Sequence, residues 1–135
     1  MDTRTQKIPG REHPISIHAT GERIVVRANG RVLADSTATL TLSEAGYPPV
    51  HYIPIRDVDE TLLRSSSTST YCPYKGRASY YSIAGPDGEI QDAIWTYEHP
   101  YPAVTAIAGY LAFYPDKVEI TVSRDGSAPD RQKVQ

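Results

Sequence analysis

One cysteine, one tryptophan, one phenylalanine and one methionine are all that 135 residues contain of those types. A lone Cys72 forms no internal disulfide, so nothing covalent ties this fold together. No run of lysine and arginine is present and the formal net charge is −2. The usual electrostatic footprint of non-specific nucleic-acid binding is therefore missing, and no nucleic-acid partner is expected. No apolar stretch approaches the ~20 residues that a membrane-spanning helix needs, so no membrane partner is expected either. The N-terminus carries no apolar segment resembling a signal peptide, and the expected location is the cytoplasm. Internal repeats are absent too.

Tyrosine is what the chain has in quantity, ten of them. A tyrosine joins a large apolar body to a hydroxyl that wants a partner, so it favours half-buried and pocket-lining places. A chain of this size is expected to form one β domain over residues 13–124. A loose polar arm, 1–12, precedes it and a disordered tail, 125–135, follows.

Turn chemistry divides the middle into short strands. Asn29-Gly30 between Arg23–Ala28 and Arg31–Ser36 predicts a type I′ hairpin, because that turn needs positive φ twice. Gly85-Pro86-Asp87-Gly88 predicts a second hairpin joining Ala78–Ile83 to Ile90–Glu98. A third is expected across Pro115-Asp116, pairing Tyr110–Tyr114 with Lys117–Ser123. There Val118, Ile120 and Val122 alternate with Glu119, Thr121 and Ser123, one face buried and one wet. Leu40 and Leu42 share a face, and Val50–Ile53 is a strand that Pro54 ends. Asp57 or Asp59 caps a helical turn before Leu63, and Ala103–Ala108 forms another. Ser65–Ser69 reads as a polar connector. The expectation is a mainly β protein of about eight strands, with two antiparallel sheets and one or two helical turns.

The stretch with most chemistry is Thr70–Tyr81, which holds Cys72, Tyr74 and Lys75. Pro73 fixes φ and Gly76 frees it, giving a rigid turn with Tyr74 and Lys75 at its tip. Lys75 is the best partner for a ligand charge, because a fixed turn loses less entropy on binding. Arg56, at a strand end beside Asp57, is a second candidate. Trp95 and Tyr97 share one strand face and could floor a pocket for a flat or sugar-like ligand, with Tyr52 nearby. Phe113 belongs in the core. Cys72 has two readings: a small buried hydrophobe, or a thiolate nucleophile with its pKa lowered by Lys75 and His51 as base. His13, His18, His51 and His99 lack metal-ligand spacing, so neither a metal nor a cofactor is expected. Asp35, Glu44, Asp57 and Glu98 form no recognisable carboxylate pair.

Several of these runs together resemble a known family. They are Ala34-Asp35-Ser36, His51-Tyr52-Ile53-Pro54 with Asp57-Val58, Thr70-Tyr71-Cys72-Pro73-Tyr74-Lys75-Gly76, Trp95-Thr96-Tyr97-Glu98 with Pro100, and Ala112-Phe113-Tyr114. From about His13 to Val122 the chain resembles the domain of unknown function 427 family, whose label is nucleotidyltransferase-like. The resemblance implies an Mss4-like β-tent, two antiparallel sheets meeting at an angle. Related tents hold zinc through paired Cys-x-x-Cys knuckles, which one cysteine cannot supply. The label is not matched by motifs: there is no Gly-Ser pair with a nearby Asp-x-Asp, and no phosphate-cradling glycine loop.

The leading expectation is a small-molecule-binding domain. Tyr52, Arg56, Tyr74, Lys75, Trp95 and Tyr97 would surround a small polar or anionic ligand. The alternatives are an enzyme using Cys72 as thiolate, and an interaction or oligomerisation module whose tyrosines face a protein partner.

Overall fold

The computed structural model describes residues 6–124. The expected tail and the first five residues of the expected arm lie outside them. Ten strands follow in order: β1 (Ile15–Ala19), β2 (Arg23–Ala28), β3 (Arg31–Ser36), β4 (Leu40–Glu44), β5 (Val50–Tyr52), β6 (Leu63–Cys72), β7 (Gly76–Gly85), β8 (Gly88–Thr96), β9 (Leu111–Phe113) and β10 (Glu119–Ser123). They form three antiparallel ladders, ordered β1-β4-β5, β10-β2-β3 and β6-β7-β8-β9. A reciprocal pair of hydrogen bonds, Ile53 N–H to Leu111 O and Leu111 N–H to Ile53 O, both 2.8 Å, joins β5 to β9. The first and third ladders thereby run on as one long sheet beside the three-stranded one.

The first two of the expected hairpins are in place. Asn29 and Gly30 sit at φ 54° and 74° between β2 and β3, as a type I′ turn demands. Gly85 pairs with Gly88 where β7 turns into β8. Asp59 caps the 3-10 turn Glu60–Leu62, its side chain accepting from Thr61 N–H. A second 3-10 turn spans Ile55–Asp57 and a third Pro102–Ile107.

Two expectations are corrected. Ser65–Ser69 is no connector but the middle of β6. A register shift between Ser65 and Ser69 hides the two-residue period there. The Asp92 carboxylate accepts from Ser66 Oγ and Thr68 Oγ1, so hydroxyls do the pinning that apolar groups do elsewhere. The third hairpin does not form either. β9 pairs with β8 and β10 with β2, so Pro115-Asp116 carries the chain from one sheet to the other.

Two apolar clusters hold the fold. One gathers Ile24, Val26, Leu33, Ile53, Ile83, Ile94, Leu111 and Phe113, packing the three-stranded sheet against the long one. The other gathers Leu42, Tyr52, Ala78, Tyr80, Tyr97, Val104, Ile107 and Ala112. Fully burying side chains of this size contributes about 1.5–3 kcal/mol each. No helix among the described residues is long and apolar enough to cross a membrane.

Candidate functional site

The turn after β6 is closed by the Lys75 N–H donating to Cys72 O, with Gly76 at φ 110°. It does not hold Lys75 out to solvent. Lys75 turns inward, is only 7% exposed, and donates from Nζ to Glu44 Oε1 at 2.6 Å. Glu44 ends β4, and its other oxygen lies 2.7 Å from His13 Nε2. The His13 ring stacks flat on Tyr74, centroids 3.9 Å apart and planes 4° apart. Lys7 crosses over Tyr74, with its N–H bonded to Pro73 O. Burial pushes the Glu44 carboxyl up, but the hydrogen bonds from Lys75 and His13 outweigh it and hold the group below its ordinary value.

An aromatic group adjoins this polar one. Across the β7–β8 pair Tyr80 lies opposite Trp95, and across β8–β9 Trp95 lies opposite Ala112, so these side chains share one face. Trp95 Nε1 donates to the Tyr52 hydroxyl at 3.2 Å, the two rings meeting edge to face. Tyr114 packs 4.5 Å from Trp95, and its hydroxyl lies 3.4 Å from that of Tyr80. Burial pushes the hydroxyls of Tyr52, Tyr97 and Tyr114 well above a tyrosine's ordinary 10.0, so all three stay protonated at neutral pH. Burial also lowers His51, whose Nδ1 lies 3.0 Å from Thr41 Oγ1; its ring is held neutral.

Between these groups lies a cavity of about 550 Å³. Ile24 and Val26 of β2 and Ile120 and Val122 of β10 close one side. Leu42, Glu44, Tyr52, Lys75, Tyr80, Trp95, Tyr97 and Tyr114 close the other.

Of the residues singled out in the sequence, Tyr52, Lys75, Trp95 and Tyr97 all line this cavity. Three others stand apart. Arg56 is exposed on its 3-10 turn, because the neighbouring Asp57 accepts from Ser36 Oγ and fixes which way the turn faces. Tyr74 sits behind Lys75, stacked on His13. Cys72 is half-buried against the second cluster and does not reach the cavity wall. No hydrogen bond joins it to His51 among the described residues.

Glu44, His13 and Tyr80 escaped the sequence reading. Glu44 and Lys75 are 31 residues apart in the chain, and only the sheet brings them together. Tyr80 was legible: it alternates with Ser79 and Tyr81 on the face of Ala78, a residue now found in the same cluster. No group of three or more His, Cys, Asp or Glu side chains that could hold a metal ion occurs among the described residues.

The sequence over residues 16–124 matches the family described as Domain of unknown function (DUF427). The chain belongs to this DUF427 family. The match runs from the second residue of β1 through β10, so every wall of the cavity falls within the DUF427 domain. No curated protein matches the sequence.

Proposed function

We propose that this DUF427 domain binds a small molecule in the cavity lined by Trp95, Tyr97 and Lys75. The observation carrying the proposal is the cavity itself, about 550 Å³ and walled from both sheets. That volume falls within the roughly 300–1,000 Å³ of ordinary ligand sites. Its walls follow the usual composition of such sites, mostly apolar and aromatic with a few convergent polar groups. The tent-like meeting of two sheets implied by the family resemblance goes with this reading, since a cleft where layers diverge needs filling.

The ligand is a polar but uncharged one. Lys75 is the one cation of the wall, and Glu44 already neutralises it at 2.6 Å. An anion would have to compete with a bonded carboxylate. The other two readings lack comparable support. Cys72 is off the cavity and without a hydrogen-bonded base, which a nucleophile needs. A tyrosine interface needs exposed tyrosines, and Tyr47 at 66% is the one tyrosine among the exposed large hydrophobics.

Val122 lies on the cavity wall and is 36% exposed, so a larger side chain there fills the site without disturbing the core. In a thermal-shift screen of uncharged metabolites, some compounds should stabilise the wild type and fail to stabilise Val122→Phe. If every stabilising compound acts equally on both proteins, the cavity is not the binding site.

A further inference from the structure

We infer that the ligand is a flat, uncharged aromatic carbonyl compound whose oxygen accepts a hydrogen bond from the Tyr97 hydroxyl. The inference rests on the cavity reading above and specifies its occupant. Tyr97 is 6% exposed and lines the cavity. Its neighbours on the wall are satisfied: Tyr52 accepts from Trp95, and Tyr80 shares bonds with Thr70 and Tyr114. The Tyr97 hydroxyl has no hydrogen-bond partner among the described residues. Among those same residues the one fully sealed side-chain oxygen without a partner is Thr39 Oγ1. The Tyr97 hydroxyl is not sealed and its residue lines the cavity, and we take the hydroxyl to face that space.

A hydrocarbon that fills the cavity cuts this hydroxyl off from water and leaves it unpaired at a cost of about 1–3 kcal/mol, which a ligand offering an acceptor avoids. Burial keeps Tyr97 protonated, so the proton for that bond is present throughout the neutral range. Charge on the ligand is disfavoured in either sign. A cation meets the Lys75 ammonium, and both oxygens of Glu44 are already engaged by Lys75 and His13. An anion finds Lys75 paired and His51 neutral, and so enters an apolar site without a counter-charge. Flatness follows from the walls. Trp95 is half-buried rather than enclosed, and Tyr80, Tyr114 and Phe113 stand beside it, so aromatic faces border the space. Offset or edge-on contact with such faces favours a second ring over an aliphatic chain.

Four probes test the class on the full chain by titration calorimetry: 1-tetralone, tetralin, 1-naphthoate and N-methylquinolinium. The first two share one shape and differ in the carbonyl. The ketone should bind about tenfold more tightly than tetralin, and both charged probes more weakly than the ketone. Tyr97→Phe removes one oxygen and keeps the ring. It should abolish the tenfold preference for the ketone while leaving tetralin affinity unchanged. The inference is overturned if a charged probe binds as tightly as the ketone, or if the preference survives in Tyr97→Phe. Tetralin and ketone binding equally in the wild type would overturn it as well, while leaving the cavity reading intact. Binding that Val122→Phe does not weaken would bring down the cavity reading as well.

Discussion

Replacing Glu44 with alanine leaves the Lys75 ammonium buried without its partner. The Lys75 side chain is 9% exposed and that of Glu44 15%, so both charges sit largely out of water. Breaking such a pair from one side costs about 3–5 kcal/mol, because the remaining charge stays desolvated. The adjoining cavity lets some water reach Lys75, which argues for the lower end, about 3 kcal/mol. The lost contact to His13 adds about 1 kcal/mol. For a chain of this length each kcal/mol lowers Tm by roughly 3–5 °C, so Glu44→Ala should melt on the order of 10–20 °C below wild type. The double variant Glu44→Leu with Lys75→Met removes both charges together and should recover most of that loss. Thermal and urea melts of the wild type, Glu44→Leu, Lys75→Met and the double variant give the coupling energy directly. Strict additivity, or a Glu44→Ala cost below about 1 kcal/mol, would show that the pair is as weak as a solvated surface bridge. pH supplies an independent check. Glu44 is held below its ordinary 4.5 in the fold, so its contribution is complete above 4.5 and is lost as pH falls through the lowered value. Wild type should lose stability on acidification through that range, and Glu44→Gln should lose correspondingly less.

Gly85→Ala should destabilise by about 1–3 kcal/mol in a urea melt, since the new Cβ would lie 2.8 Å from Gly88 O and 3.0 Å from Asn29 Nδ2; unchanged stability would contradict the close packing of the two hairpin turns. Tyr52, Tyr97 and Tyr114 should stay protonated past pH 10 when phenolate absorbance is followed in the folded protein. Because their folded pKa values lie above the unfolded ones, they contribute stability below pH 10 that is lost as pH rises beyond it, so unfolding and a late rise in phenolate should coincide.

Short-range chemistry was the legible part of this fold. Asn29-Gly30 and Gly85–Gly88 each encode their turn within a few residues, so both hairpins could be placed from the chain alone. Strand β6 was hidden because serine and threonine side chains replace apolar ones, with Asp92, 24 to 26 residues away, as their anchor. Partner choice was equally hidden: Tyr110–Tyr114 and Lys117–Ser123 look like two arms of one hairpin, but each is claimed by a different sheet. The same division holds at the site. Trp95 and Tyr97 could be put on one face from their spacing of two, and both line the cavity. Lys75 could be picked from its fixed turn. Its direction could not, because Glu44 lies on a strand that pairs with β1 and β5 and comes near the turn only through the tertiary fold. Arg56 shows the opposite failure, a charged residue at a strand end whose neighbour, Asp57, settles the turn's facing through Ser36.

The most direct measurement is a crystal structure of the protein soaked with 1-tetralone. Density for the ketone should lie beside the Trp95 ring, its oxygen within hydrogen-bonding distance of Tyr97 Oη, with the Lys75–Glu44 pair unbroken. A cavity closed by its own side chains, or a ketone bound only elsewhere on the surface, would contradict the account.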